Sequence, residues 1–281
     1  MLQQAGKPVR QPDLTAGQLG PAILLDCAAE IDAGFGRIMS SANPDGPHAV
    51  RVSLRRLRTA LKALKPIMDA KSCNPLRDRA AEAFGRLGPL RTADVLVIGL
   101  REFLPAADVG RLRARATRLR KLARLMLTQS GADQITSDLR DLLAGNDWHR
   151  SGKAAKALCR IPAREFSRST LDRVWQAACD KGHGLAGQDA ASRHEFRKSI
   201  KSLRYTMEFF KSVWNGGKYR NFRSRLSLLQ DNLGVLNDLS EAESNPELPA
   251  AAIAAFRTAA DGAEQRAAET WKALRRAGPF W

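Results

Sequence analysis

The feature that most constrains this chain is a row of cations that occurs twice. His48, Arg51, Arg55 and Arg58 are matched by His194, Arg197, Lys201 and Arg204, so that His-x2-Arg-x3-(Arg/Lys)-x2-Arg appears in both places, 146 residues apart. A second landmark returns at the same offset: Leu87-Gly88-Pro89-Leu90 against Leu233-Gly234-Val235-Leu236. Between the landmarks, Arg77-x-Arg79 falls on Arg223-x-Arg225. Two unrelated features and a spacer in one register mark an internal duplication. At about 100° per residue, positions i, i+3, i+7 and i+10 of a helix lie within a strip roughly 80° wide. Lys62 prolongs the first strip, while Leu54, Leu57, Leu61 and Leu64 fall on the opposite side. Phe196, Leu203, Met207 and Phe210 do the same in the second copy. Each helix therefore has an apolar back and a cationic front. No Asp or Glu occurs between His48 and Lys65, and like charges at this spacing repel and cost helix stability. A chain that accepts this cost twice points to an anionic ligand that offsets it.

The whole chain carries the same bias. Its 281 residues hold 46 Lys and Arg against 29 Asp and Glu, a formal charge of +17 and a pI of about 10.5. Such a surface attracts polyanions: nucleic acid, anionic membrane or a phosphate polymer. Apolar content of 44% suits a soluble globular chain, and the duplication favours two similar halves packed together. Cys27, Cys73, Cys159 and Cys179 show no CxxC pair and no metal-ligand spacing. They read as small buried hydrophobes in a reducing compartment. Residues 1–20 are polar and lack the apolar core of a secretory signal. The expectation is a cytosolic protein with a flexible arm over 1–20 and no membrane insertion.

Strand signals are nearly absent and helical periodicity runs almost throughout, which predicts an all-α fold. Helices are expected over about 21–41, 48–65, 74–88, 89–104, 108–124 and 135–143, with Asp108 as an N-cap. In the second half they are expected over about 162–181, 190–214, 218–241 and 249–276. The repeats span about 21–145 and 146–281, each a bundle of about four main helices.

Two motifs, HAVRVSLRRLR from His48 and HEFRKSIKSLRY from His194, carry a family resemblance, completed by LGPLRTAD from Leu87 and LQDNLGVLND from Leu229. The chain resembles the CHAD family, an α-helical domain named for its histidines, over nearly everything from residue 21 onward. The resemblance implies two helical bundles related by a pseudo-twofold axis, with both basic helices lining a shared central cavity. It also implies binding of inorganic polyphosphate; a scaffold that such binding targets to polyphosphate granules is a further reading compatible with it. The ligand-facing positions it implies are His48, Arg51, Arg55, Arg58, His194, Arg197, Lys201 and Arg204, to which the prolonged stripe adds Lys62. Some members carry a triphosphate-tunnel catalytic domain ahead of this one. About twenty residues precede the first expected helix here and no ExExK motif is present, so a stand-alone member is expected. Thr92 stands where the first-half motif often has an acid.

Beyond the stripes, Arg77, Arg79, Lys198, Lys218, Arg220, Arg223 and Arg225 are candidates to extend the basic cavity. Arg56 and Lys65 read as solvated charges, as do most cations from Arg111 to Arg124. Asp94 and Asp238 either orient stripe arginines or serve surface and capping roles. Trp148-His149 and His183 have no repeat partner and read as structural. One histidine per stripe without a carboxylate at ligand spacing argues against a metal site, and a phosphate contact is preferred to a cap.

Nucleic-acid backbone binding is the rival reading. Single-strand readers interleave aromatics with cations so that bases can stack, whereas the stripes contain only Tyr205, and weak affinity at low salt is expected. A metal-dependent polyphosphate hydrolase is a further alternative. Phosphoryl transfer calls for metal-holding carboxylates or a phosphate loop, and the sequence has no GxxxxGK(S/T), no HExxH and no acidic cluster near either stripe. No catalytic residue and no cofactor is therefore expected, and the sequence names no protein partner.

Overall fold

The computed structural model describes residues 14–102, 104–145, 148–246 and 248–281, and these fold as an all-α protein. The first half comprises α1 (Ala16–Ser40), α2 (Asp45–Leu64), α3 (Ala70–Arg86), α4 (Gly88–Leu100), α5 (Ala106–Gln129) and α6 (Ile135–Ala144). The second comprises α7 (Lys153–Arg160), α8 (Ala163–Lys181), α9 (Ala190–Phe209), α10 (Gly217–Glu243), α11 (Ala250–Ala260) and α12 (Ala263–Ala277). Residues 1–13 of the expected N-terminal arm, and Asn146–Asp147 of the break between the halves, lie outside the described residues.

The helices follow the duplication. Shifted by 146 residues, α2 falls on α9, and α1 falls on α8. The pair α3–α4 falls on the single helix α10. Pro89 accounts for the difference. It lacks an N–H and is tolerated only in a first turn, so it ends one helix and sits at the start of α4. Val235 stands in its place in the second copy and α10 runs through. The opposite happens downstream, where α5 is continuous but its counterpart breaks at Gly262, which adopts a left-handed φ of 64°. Apolar periodicity predicts one helix over 249–276, and the Asp261-Gly262 pair divides it.

Other boundaries differ for local reasons. α1 begins at Ala16 rather than at Pro21, because Thr15 caps it, its N–H donating to Gln18 Oε1 at 3.0 Å. Pro105 rather than Asp108 caps α5; Asp108 lies within the first turn and pairs with Arg111. α3 starts earlier than Asn74, capped by Asp69, which accepts from Ser72 N at 2.9 Å. Helix α7 lies outside the helices expected from the sequence.

The two striped helices are the hub of the molecule. α2 packs on α1 and α3, α9 packs on α8 and α10, and α2 touches α9 across the halves. Their apolar backs are buried as the periodicity requires: Leu54, Leu57, Leu61 and Leu64 in α2, and Phe196, Leu203 and Met207 in α9, with Phe210 just past its end. Removing one such side chain costs about 2–5 kcal/mol. Burial of this back leaves the cationic front no choice of direction. In α9 the fit is tight, since a Cβ on Gly182 would come within 2.5 Å of Phe196 and 2.6 Å of Trp271. The segment joining the halves pins the α2–α3 turn. Trp148 is buried there, its carbonyl accepts from Asp69 N at 2.7 Å, and Arg150 N donates to Ile67 O at 2.9 Å. Cys27 and Cys73 are buried and their thiols are pushed up, to about 12 and about 11, by desolvation first of all.

Candidate functional site

The cationic fronts of α2 and α9 face one cavity of about 580 Å³. From the first half, Arg55, Arg58 and Lys62 of α2 line it, with Lys65 just beyond the helix and Arg77 of α3. From the second half come His194, Arg197, Lys198 and Lys201 of α9. Asp69 is the one carboxylate among the described residues of the lining, and both Ser72 N and Ser72 Oγ already bond to it. Among the described residues, Arg55, Arg58, Lys62, Lys65, Arg197 and Lys201 make no ion pair with a carboxylate within 4.0 Å. The buried Nε atoms of Arg58, Arg197 and Arg204 also lack a hydrogen-bond partner among them.

This crowding shows in the titration of the groups. Burial, followed by the fields of Arg197, Arg55 and Arg204, pushes the Lys201 ammonium down to about 7, with Asp238 opposing the shift. Burial, then Arg55 and Arg91, lowers the Arg51 guanidinium to about 10, still fully protonated at neutral pH. His48 is lowered by partial desolvation and by Arg91, Arg51 and Lys201, with Asp45 in partial opposition. Arg55 feels Arg197, and His48 feels Lys201. The two stripes therefore act on each other across the seam.

Three stripe residues do not line the cavity. Arg51 donates to Phe84 O at 2.5 Å, near the C-terminal end of α3, and its guanidinium lies 3.9 Å from the Phe84 ring centre. A cation there satisfies a carbonyl left over at a helix end, so Arg51 also holds α3. Arg204 stacks on Tyr205 at 5.1 Å, with its Nε 3.9 Å from Glu208. The imidazole of His48 stands beside Arg91 on the exposed side of α2. Arg91 thus joins the cation row, and only its position in the LGPLR motif hinted at it.

His194 is held differently from His48. Its Nδ1–H donates to Asn237 Oδ1 at 2.8 Å, and Asn237 Nδ2 donates to Glu241 Oε1 at 2.7 Å. Glu241 fixes the amide, and the amide fixes the ring. Shifted by 146, Asn237 corresponds to Arg91, so the two histidines meet a neutral acceptor on one side and a cation on the other. His194 and Arg197 also line a neighbouring cavity of about 650 Å³ toward the end of α10, which reaches Thr92 of α4.

The repeated Leu-Gly packs in register with the stripe. A Cβ on Gly88 would lie 3.6 Å from Arg51 Nη1, and one on Gly234 would lie 3.9 Å from Arg197 Nη2. Each glycine faces the equivalent arginine.

Several sequence expectations need correction. Lys65, read as a solvated charge, lines the cavity. Asp94 does not orient a stripe arginine: Arg120 Nη2 donates to both its oxygens, at 2.9 and 3.1 Å, and both side chains are buried. Arg120 is therefore not solvent-facing, and nor is Arg124, which donates to Ile38 O and Ser41 O. Of the candidate extensions, Arg77 and Lys198 reach the cavity, paired with Asp78 and Glu195. Arg79 pairs with Asp138 of α6 instead. Lys218 and Arg225 are absent from the lining, and Arg220 and Arg223 line a different cavity. Arg56, read as solvated, bridges Glu30 and Glu208, both at 2.9 Å.

Fold and site together define a class, an all-α duplicated protein with a cation-lined cavity at the seam of its halves. The CHAD domain model matches residues 22–245, and the chain belongs to that family. The crystal structure of the CHAD domain from the plant Ricinus communis is similar, with a TM-score of 0.68 at 24% identity over 97% of this chain and 96% of that one. PptA from Streptomyces chartreusis is similar with a TM-score of 0.52 at 16% identity, over 94% of this chain and 99% of that one. At these identities the likeness is one of fold. No curated protein matches the sequence.

Proposed function

We propose that the protein binds inorganic polyphosphate in the cavity between α2 and α9, without turning it over. The observation that carries this reading is the set of unpaired cations that both repeats direct into one cavity, where burial and then mutual repulsion bring the Lys201 pKa down to about 7. Such an arrangement is costly without a ligand, and a polyanion relieves it. The arginine fork matches non-bridging phosphate oxygens. Along α2, Arg55 to Lys62 spans about 10 Å of helix rise, a rail for a regular chain of anions, and α9 supplies a second. Membership of the CHAD family agrees with this reading.

The aromatic side chains favour a phosphate reader over a base reader. Arg51, Arg55 and Arg58 all gather around Phe84, at 3.9, 4.9 and 5.9 Å from its centre. Tyr205 is buried between Arg56 and Arg204. Two of the aromatic rings at the cavity, Phe84 and Tyr205, are thus engaged by arginines, where a base reader would offer them to bases. Binding without turnover is supported by Asp69, the carboxylate in the lining, being committed to the cap of α3. Binding of this kind would carry the protein to polyphosphate granules in the cytosol.

The test is charge reversal at Arg55, Arg58, Arg197 and Lys201. Loss of at least 100-fold in polyphosphate affinity with an unchanged helical circular-dichroism spectrum is the expected result. Retained affinity would remove the cavity as the site. A time course of phosphate release by the pure protein with added divalent metal tests the second half of the reading, and sustained release lost in the same variant would make it an enzyme.

A further inference from the structure

Arg220 and Arg223 lie away from the polymer site, in a second cavity of about 550 Å³ on α10. We propose that this cavity is a separate binding site for a small phosphate-bearing anion. One part of its lining is the ion-pair cluster in which Glu30 of α1 and Glu208 of α9 are both engaged by Arg56 of α2. Those carboxylates are therefore occupied. The remaining cations, Lys211, Arg220 and Arg223, make no ion pair within 4.0 Å among the described residues. Arg220 bonds only weakly, to Asn215 O at 3.3 Å.

Two further features point to an anion. The 27-residue helix α10 begins at Gly217, two residues before Tyr219 of the lining, with Gly216 offering no side-chain cap and no acid in the first turn. Its open N–H groups and positive dipole end favour a negative ligand. Tyr219 also lines the cavity and is only 9% exposed, yet its hydroxyl has no hydrogen-bond partner among the described residues. The hydroxyl is free to donate on the cavity side of a largely buried ring, and a phosphate oxygen is an acceptor it would bond. Burial raises the same phenol, with Arg223 opposing that shift and Glu208 adding to it, and Arg223 lines the cavity with it. Arginine forks, a tyrosine donor and a helix N-terminus together form a set that recognises a compact phosphate dianion.

Calorimetric titration of inorganic diphosphate into the full chain tests this, alongside long-chain polyphosphate. Two classes of diphosphate site are expected in the wild type. The R55E/K201E variant is expected to keep the second class, and Tyr219→Phe to weaken it about tenfold. In R220Q/R223Q that class is expected to vanish while long-chain affinity stays within twofold. Diphosphate binding that is indifferent to Arg220, Arg223 and Tyr219 would overturn the proposal. So would a tenfold loss of long-chain affinity in R220Q/R223Q, which would make these arginines part of the polymer site. Because the second class is read in R55E/K201E, its failure and that of the central site are distinguishable.

Discussion

Burial and the fields of Arg197, Arg55 and Arg204 hold Lys201 at about 7, where a free lysine sits near 10.4. A bound polyanion reverses that field and raises the pKa, so binding takes up a proton. Affinity is predicted to rise by up to about tenfold per pH unit as pH falls from 9 to 7, and to level off below. Calorimetry in buffers of different ionisation heat reads the proton directly; no uptake at pH 8 would remove Lys201 from contact. In the free protein the sign is the reverse. The folded pKa lies below the unfolded one, so the unfolded chain binds more protons between about pH 10 and 7, and stability falls across that window as pH falls. Lys201→Met is therefore predicted to raise the Tm of the ligand-free protein by a few degrees while weakening polyphosphate binding, and a lower Tm would contradict it. His194 gives a second prediction. Asn237→Ala frees its ring from the Glu241-anchored amide and is expected to weaken binding severalfold, whereas Arg91→Ala is expected to act through lost charge and to flatten the salt dependence. Equal salt slopes in the two variants would show that the halves do not differ in this way.

At the scale of elements, the stripes and their apolar backs were legible because a single periodicity sets both. Once Leu57 and Phe196 go inside, Arg55 and Arg197 are aimed. What the sequence hid were long-range pairings with no periodic signature. Asp94 and Arg120 join α4 to α5 as a buried ion pair, and no local pattern links residues 26 positions apart. Breaking such a pair leaves an uncompensated buried charge. Asp94→Ala is predicted to cost about 3 kcal/mol, a fall of roughly 6–12 °C in Tm, with polyphosphate affinity unchanged at a temperature where the variant is folded. A change under about 1 kcal/mol would show the pair to be solvent-screened. Element boundaries diverge where capping outweighs composition: the Thr15–Gln18 box extends α1, and Gly262 divides α11 from α12. The first was readable as T-x-x-Q, but the polar N-terminal composition spoke against it.

For the whole molecule, the duplication decides the function. One stripe alone would be a basic surface, but two, brought together by the α2–α9 contact, enclose a cavity where cations outnumber acids. The separation of Arg220 and Arg223 from that cavity was not legible, because the register of Arg223 matches Arg77 while the surrounding helices differ: α10 is continuous where α3 and α4 are split by Pro89. On the proposed reading the cavity recognises phosphate and not bases. The most direct test of that reading is calorimetric titration of long-chain polyphosphate beside a length-matched single-stranded DNA at physiological salt. Tight polyphosphate binding with DNA at least 100-fold weaker is the predicted result. Equal and equally salt-dependent binding to both would contradict it and leave a general polyanion binder.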